Sequence, residues 1–117
     1  MNTLVMEKIL VVNNDLDTMT LLTLWLENKA YKVKYTGNGK EVRGLIREFN
    51  PSLVMVDILQ KEVIEELKDD EETRAIPVLL MTGYASRQKN SQVPADDVIE
   101  KPFNLSLLER KIEKLIA

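Results

Sequence analysis

No cysteine occurs among the 117 residues, which removes disulfides, thiolate metal sites and thiol nucleophiles together. Histidine is absent too, so the chain lacks the usual general base near neutral pH and the commonest zinc ligand. It also cannot act as a phosphohistidine donor. No apolar run approaches the roughly 18–20 residues needed to cross a bilayer. Residues 1–8, MNTLVMEK, lack the charged start and long apolar centre of a secretory leader. The 16 basic residues are scattered in a chain of net charge -3, whereas a nucleic-acid partner calls for a basic stripe or patch. A cytoplasmic protein with neither membrane nor nucleic acid as partner is the expectation.

What is present is an ordinary globular balance. Hydrophobic residues make up 44% and charged residues 30%, enough apolar material for a core. The length suits one domain and excludes a second of usual size. Residues 1–117 are expected to form that single domain, with no output domain after Ala117.

Short apolar runs alternate with amphipathic stretches. Ile9-Leu10-Val11-Val12 leads into Asn13-Asn14-Asp15, Leu53-Val54-Met55-Val56 into Asp57, and Val78-Leu79-Leu80-Met81 into Thr82-Gly83. Runs of strand length that are apolar on both faces suit a parallel sheet covered on both sides. Val33 to Thr36 alternates like an edge strand, and Val98-Ile99 is a weaker fifth candidate. Between them, Val42, Leu45, Ile46 and Phe49 mark one helical face, as do Leu105, Leu108, Ile112 and Leu115. Met19, Leu22 and Leu26 stripe the first helix, where Asp15 or Asp17 suits the N-cap, and Val63, Ile64 and Leu67 mark a shorter one ending near Lys68. Residues 85–95 show almost no apolar period, so any helix there is short. The alternation predicts an α/β, doubly wound, flavodoxin-like domain: five parallel strands in the order 2-1-3-4-5 with helices on both faces.

In such sheets ligands gather beyond the C-terminal strand ends, where strand order reverses. Asn13, Asn14, Asp15 and Asp57 leave the strands flanking that point, with Thr82 and Lys101 at the ends of the next two. A carboxylate can attack phosphorus to give an acyl phosphate. The charge on the transferring group needs a cation and donors around it. Lys101 offers the charge, Thr82 a hydroxyl, and Mg²⁺ is the natural oxygen-ligated ion.

Five ordered segments carry a resemblance to the response-regulator receiver family of two-component signalling over about residues 7–117. They are KILVV with its polar triplet (8–15), LENKAYKV (26–33), NPSLVMVDI (50–58), IPVLLMTGYAS (76–86) and ADDVIEKPF (95–103). The resemblance implies that Asp57 is the phosphoacceptor, that Thr82 is the hydroxyl following the phosphoryl group, and that Lys101 precedes a cis proline. It implies phosphotransfer from a sensor histidine kinase or phosphotransfer protein, signalling through a downstream protein or a homodimer, and no enzymatic turnover on outside substrates. It also implies Mg²⁺ bound by Asn14, Asp57 and the Leu59 carbonyl, with Asn13 acting indirectly and Asp15 as a possible substitute.

The pattern departs from the family at four points. Asn13 and Asn14 replace an acidic pair, so the four site positions sum to zero formal charge and Mg²⁺ binding is expected to be weak or absent. The loop after Asp57 is cut short, Val98 stands at an aromatic switch position, and the span from Thr82 to Lys101 is short and polar. Two readings follow: a phosphorylated receiver, or a pseudoreceiver that signals by docking alone. Blander roles compete for single residues, Asp57 as a helix cap and Asn13-Asn14 as turn formers. A flavin- or nucleotide-binding relative fits the fold only, because no Gly-rich phosphate loop follows Val12.

Overall fold

The computed structural model describes residues 6–83 and 93–117. The short helix considered at residues 85–95 lies mostly outside the described residues. Five strands form one wholly parallel sheet: β1 (Lys8–Val12), β2 (Lys32–Thr36), β3 (Leu53–Asp57), β4 (Val78–Gly83) and β5 (Asp97–Lys101). Their spatial order is β2-β1-β3-β4-β5, as the alternation predicts. Four α-helices accompany them among the described residues: α1 (Leu16–Asn28), α2 (Val42–Phe49), α3 (Lys61–Asp69) and α4 (Leu105–Ile116).

The central runs are apolar on both faces because both are covered. Ile9, Val11, Met55, Leu79, Met81 and Ile99 pack with the stripes of α1 and α4. Their strand neighbours Leu10, Val12, Val54, Val56, Val78 and Leu80 pack with α2 and α3. Side chains alternate between faces along a strand, so two cores grow from one sheet. Trp25 is half-buried against the first cluster, and Met19, Met55 and Met81 lie within it.

Polar ties close the end of the sheet away from the site. The Lys68 ammonium donates to the carbonyls of Arg74 and Ile76 and to Asp96, whose carboxylate also accepts from the Val78 N–H. The acidic run after α3 is a solvated turn in which Asp70 pairs with Arg43. Lys111 on α4 pairs with Asp97 on β5 at 2.9 Å. Burial works to raise the Asp97 carboxyl, but the Lys111 ammonium and the Val98 N–H outweigh it and hold it below the ordinary value.

Helix α1 ends in a left-handed turn without glycine. Ala30 has φ 71, the Ala30 N–H donates to the Glu27 carbonyl, and the Tyr31 N–H donates to the Leu26 carbonyl. This is the paired-bond helix ending that glycine normally serves. A side chain in this region strains the backbone by roughly 1–2 kcal/mol. Ala30→Gly is therefore expected to raise the unfolding free energy by about 1 kcal/mol, partly offset by the freer unfolded chain. Urea denaturation checks this, and a less stable variant would show that the turn is not strained.

Candidate functional site

Asp57 is the last residue of β3 and is only 4% exposed. Its two oxygens have different partners. Oδ2 accepts from the Leu59 N–H at 2.9 Å, capping a 3-10 turn at Ile58–Gln60. Oδ1 accepts from the Lys101 ammonium at 2.8 Å. One oxygen thus caps the turn while the other meets the lysine. Lys101 ends β5, and its peptide to Pro102 is cis.

Asn13 is likewise both turn former and site neighbour. It is 1% exposed, and its Oδ1 accepts from the Asp15 N–H at 2.7 Å, closing a tight turn into α1. The parallel pairing of Val12 with Val56 puts Asn13 alongside Asp57 at the same sheet edge. Its Nδ2 is buried with no hydrogen-bond partner.

Asp15 is the exposed N-cap residue of α1, but its side chain makes no cap bond to the helix backbone. Its Oδ2 accepts from the Thr18 hydroxyl at 2.6 Å. That bond leads the influences that lower its carboxyl below the ordinary value, against a raising effect of desolvation, and the Lys101 charge contributes in the same lowering direction. Asp15 therefore lies within the field of the site cation.

Thr82 is fully buried within β4 rather than just beyond it, one residue past the Asp57–Met81 pair. Its hydroxyl donates to the Gly83 carbonyl at 3.2 Å and makes no hydrogen bond to Asp57 or Lys101. Asn14 is exposed at the rim. Leu59 is 77% exposed, and what it offers the site is its N–H, donated to Asp57.

Two rim residues escape a reading of the sequence. A Cβ on Gly37 would stand 3.2 Å from the Asn14 Cβ, a tight contact, so the β2–α2 loop lies close against Asn14. Gln60 donates to the Gly37 carbonyl at 3.0 Å, tying the shortened loop after Asp57 to that neighbour. The only signal in the sequence is a glycine just after β2.

A buried carboxylate paired with lysine thus stands at the C-terminal edge of a doubly wound parallel sheet of order β2-β1-β3-β4-β5. The sequence profile of the response regulator receiver domain matches residues 9–113, and the chain belongs to that family. It is 31% identical over 107 residues to the polar-differentiation response regulator DivK of Brucella anthropi, covering 85% of this chain and 87% of that protein. It is 29% identical to the DNA-binding dual master transcriptional regulator RpaA of Synechocystis sp., over 95% of this chain and 49% of RpaA. The chain thus spans about half the length of RpaA and of the other transcriptional regulators it matches. The crystal structure of response regulator TrrA from Thermotoga maritima, in complex with Mg²⁺-BeF, superposes with a TM-score of 0.81 at 28% identity, covering 94% of this chain and 99% of TrrA.

The residues present do not fit a magnesium ion of that kind. Among the described residues, no group of three or more acidic side chains could hold a metal. Asn13 Oδ1 is engaged by the Asp15 N–H, and the charge of the Asp57 carboxylate is already paired with the Lys101 ammonium. Mg²⁺ favours a near-octahedral set of hard oxygens and dehydrates reluctantly. Asn14 supplies at most a neutral amide oxygen.

Proposed function

We propose that the chain is a receiver module of two-component signalling in which Asp57 occupies the phosphoacceptor position, with Mg²⁺ weak or absent. The observation that carries this reading is the Asp57–Lys101 pair at 2.8 Å, which sets a nucleophilic oxygen beside the charge that would receive the phosphoryl group. Thr82 lies on the adjacent strand and would follow that group once the charge arrives. The donor would be the phosphohistidine of a sensor kinase or phosphotransfer protein. The output would pass to a downstream protein or a second copy, in the cytoplasm, with no turnover of outside substrates. The described residues contain no helix long and apolar enough to cross a membrane.

The Asn13–Asn14 pair favours a second reading, a pseudoreceiver that docks without phosphate. Incubation with a small phosphodonor separates the two. The first reading expects a gain of one phosphoryl group by intact mass, mapped to Asp57 and absent in Asp57→Asn. An unmodified chain, beside a typical receiver modified in parallel, would favour docking alone.

A further inference from the structure

We propose that the side-chain amide of Asn13, in place of a divalent cation, receives a phosphoryl oxygen on Asp57, with Lys101 as the accompanying charge. The proposal rests on the phosphoacceptor reading of Asp57 and names a residue that would make the transfer independent of metal.

Three observations converge on it. Asn13 is 1% exposed and its Nδ2 has no partner, although buried donors are nearly always satisfied. Its amide cannot be turned over without loss, because Oδ1 holds the Asp15 N–H at 2.7 Å and a flip would set donor against donor. The β1–β3 register then stands Asn13 beside Asp57, continuing the sheet face of Val11 and Met55. A fixed donor without an acceptor thus stands at the strand end neighbouring that of the carboxylate that would gain three phosphoryl oxygens. An aspartate at position 13 would bring no donor, and would need a cation to tolerate the incoming charge.

The chemical step balances without metal or redox partner. With phosphoramidate as donor, an Asp57 oxygen attacks phosphorus and forms an O–P bond as the P–N bond breaks. The nitrogen leaves with the bonding pair and the protons it already carries, as neutral ammonia. The acyl phosphate retains the charge of both reactants, and Lys101 and Asn13 Nδ2 face its oxygens. Donors aimed at developing charge are what such a transfer requires.

The test follows phosphoramidate modification of the purified chain by intact mass, in EDTA and in Mg²⁺, with Asp57→Asn as negative control. The expected result is modification in EDTA at a rate within a few-fold of that in Mg²⁺. Asn13→Asp keeps the acceptor for the Asp15 N–H but loses the donor, and should be slower in EDTA by about a hundred-fold, the usual effect of deleting one such donor. Asn13→Ala stays neutral and removes the donor, so it should also slow, which separates donor loss from added charge. Should both variants fail to fold, the natural chain still decides: its Asn13 amide proton resonances should move on modification. Modification only with Mg²⁺, unchanged rates in folded variants, or a stationary Asn13 amide would overturn the proposal alone. No modification under either condition would overturn the phosphoacceptor reading as well.

Discussion

Replacing Asn13 and Asn14 together by aspartate should raise Mg²⁺ affinity by about a hundred-fold or more. A divalent ion and a unit charge about 4 Å apart attract by roughly 8 kcal/mol at an effective dielectric of 20, and the variant adds two such charges. Most of that gain is offset by stripping water from the ion and the new carboxylates. A net of roughly 3 kcal/mol is enough for a hundred-fold change. Neither substitution alters side-chain size, so the close approach of Gly37 to the Asn14 Cβ is preserved. Without metal the variant should be less stable than the natural chain, because its new charges face Asp57 and Asp15 with Lys101 as counterion. Added Mg²⁺ should then raise the melting temperature of the variant strongly and that of the natural chain little, as binding to the folded state alone requires. Trp25 lies half-buried on α1, in a groove shared with Lys101, and its fluorescence is a convenient second readout. Equal Mg²⁺ responses from the two proteins would show that missing charge is not what weakens the site.

Lys101→Met should be the most damaging single change at the site. It leaves the buried Asp57 carboxylate with the Leu59 N–H as its remaining partner. Removing one member of a fully buried ion pair costs about 3–5 kcal/mol. The Lys101 side chain is 29% exposed, so solvent reaches the pair and about 2 kcal/mol is a fitting expectation. Asp57→Asn should be milder, since its amide oxygen can still accept from Leu59 and the exposed end of Lys101 can turn to water. Combining the two should cost less than the sum of the single losses, because the second change removes the charge that the first left unpaired. Urea denaturation of the four proteins yields the coupling directly. Strict additivity would mean that the 2.8 Å contact carries no net stabilisation.

The sheet was legible because its central strands are buried on both faces, which forces unbroken apolar runs such as Leu53 to Val56. β5 was fainter because it is an edge strand, where of Val98 and Ile99 only Ile99 is fully buried. Asp57 and Lys101 could be paired from sequence because parallel strands bring their C-terminal ends to one edge. The apolar run ending at Met81 suggests that Thr82 leaves β4, yet it lies inside the strand with its hydroxyl turned to the Gly83 carbonyl. Loop-to-loop contacts leave no periodic trace, so neither the Gln60–Gly37 tie nor the Lys68 hub could be foreseen. The same holds for Asn13. Its residue type announced a turn, but only coordinates reveal that one end of the amide is used and the other is spare.

The free margin of β2 has a consequence of another kind. An outermost strand presents a row of unmatched backbone groups, a template on which further chains can stack into fibrils. Here that strand reads Lys32-Val33-Lys34-Tyr35-Thr36, and Tyr35 is 56% exposed. Juxtaposing two such margins would crowd like-charged lysines together, a barrier that holds best in dilute electrolyte and fades as ions screen it. Lys32 would supply most of that barrier, because the Lys34 charge is shared with Glu48 at 3.3 Å.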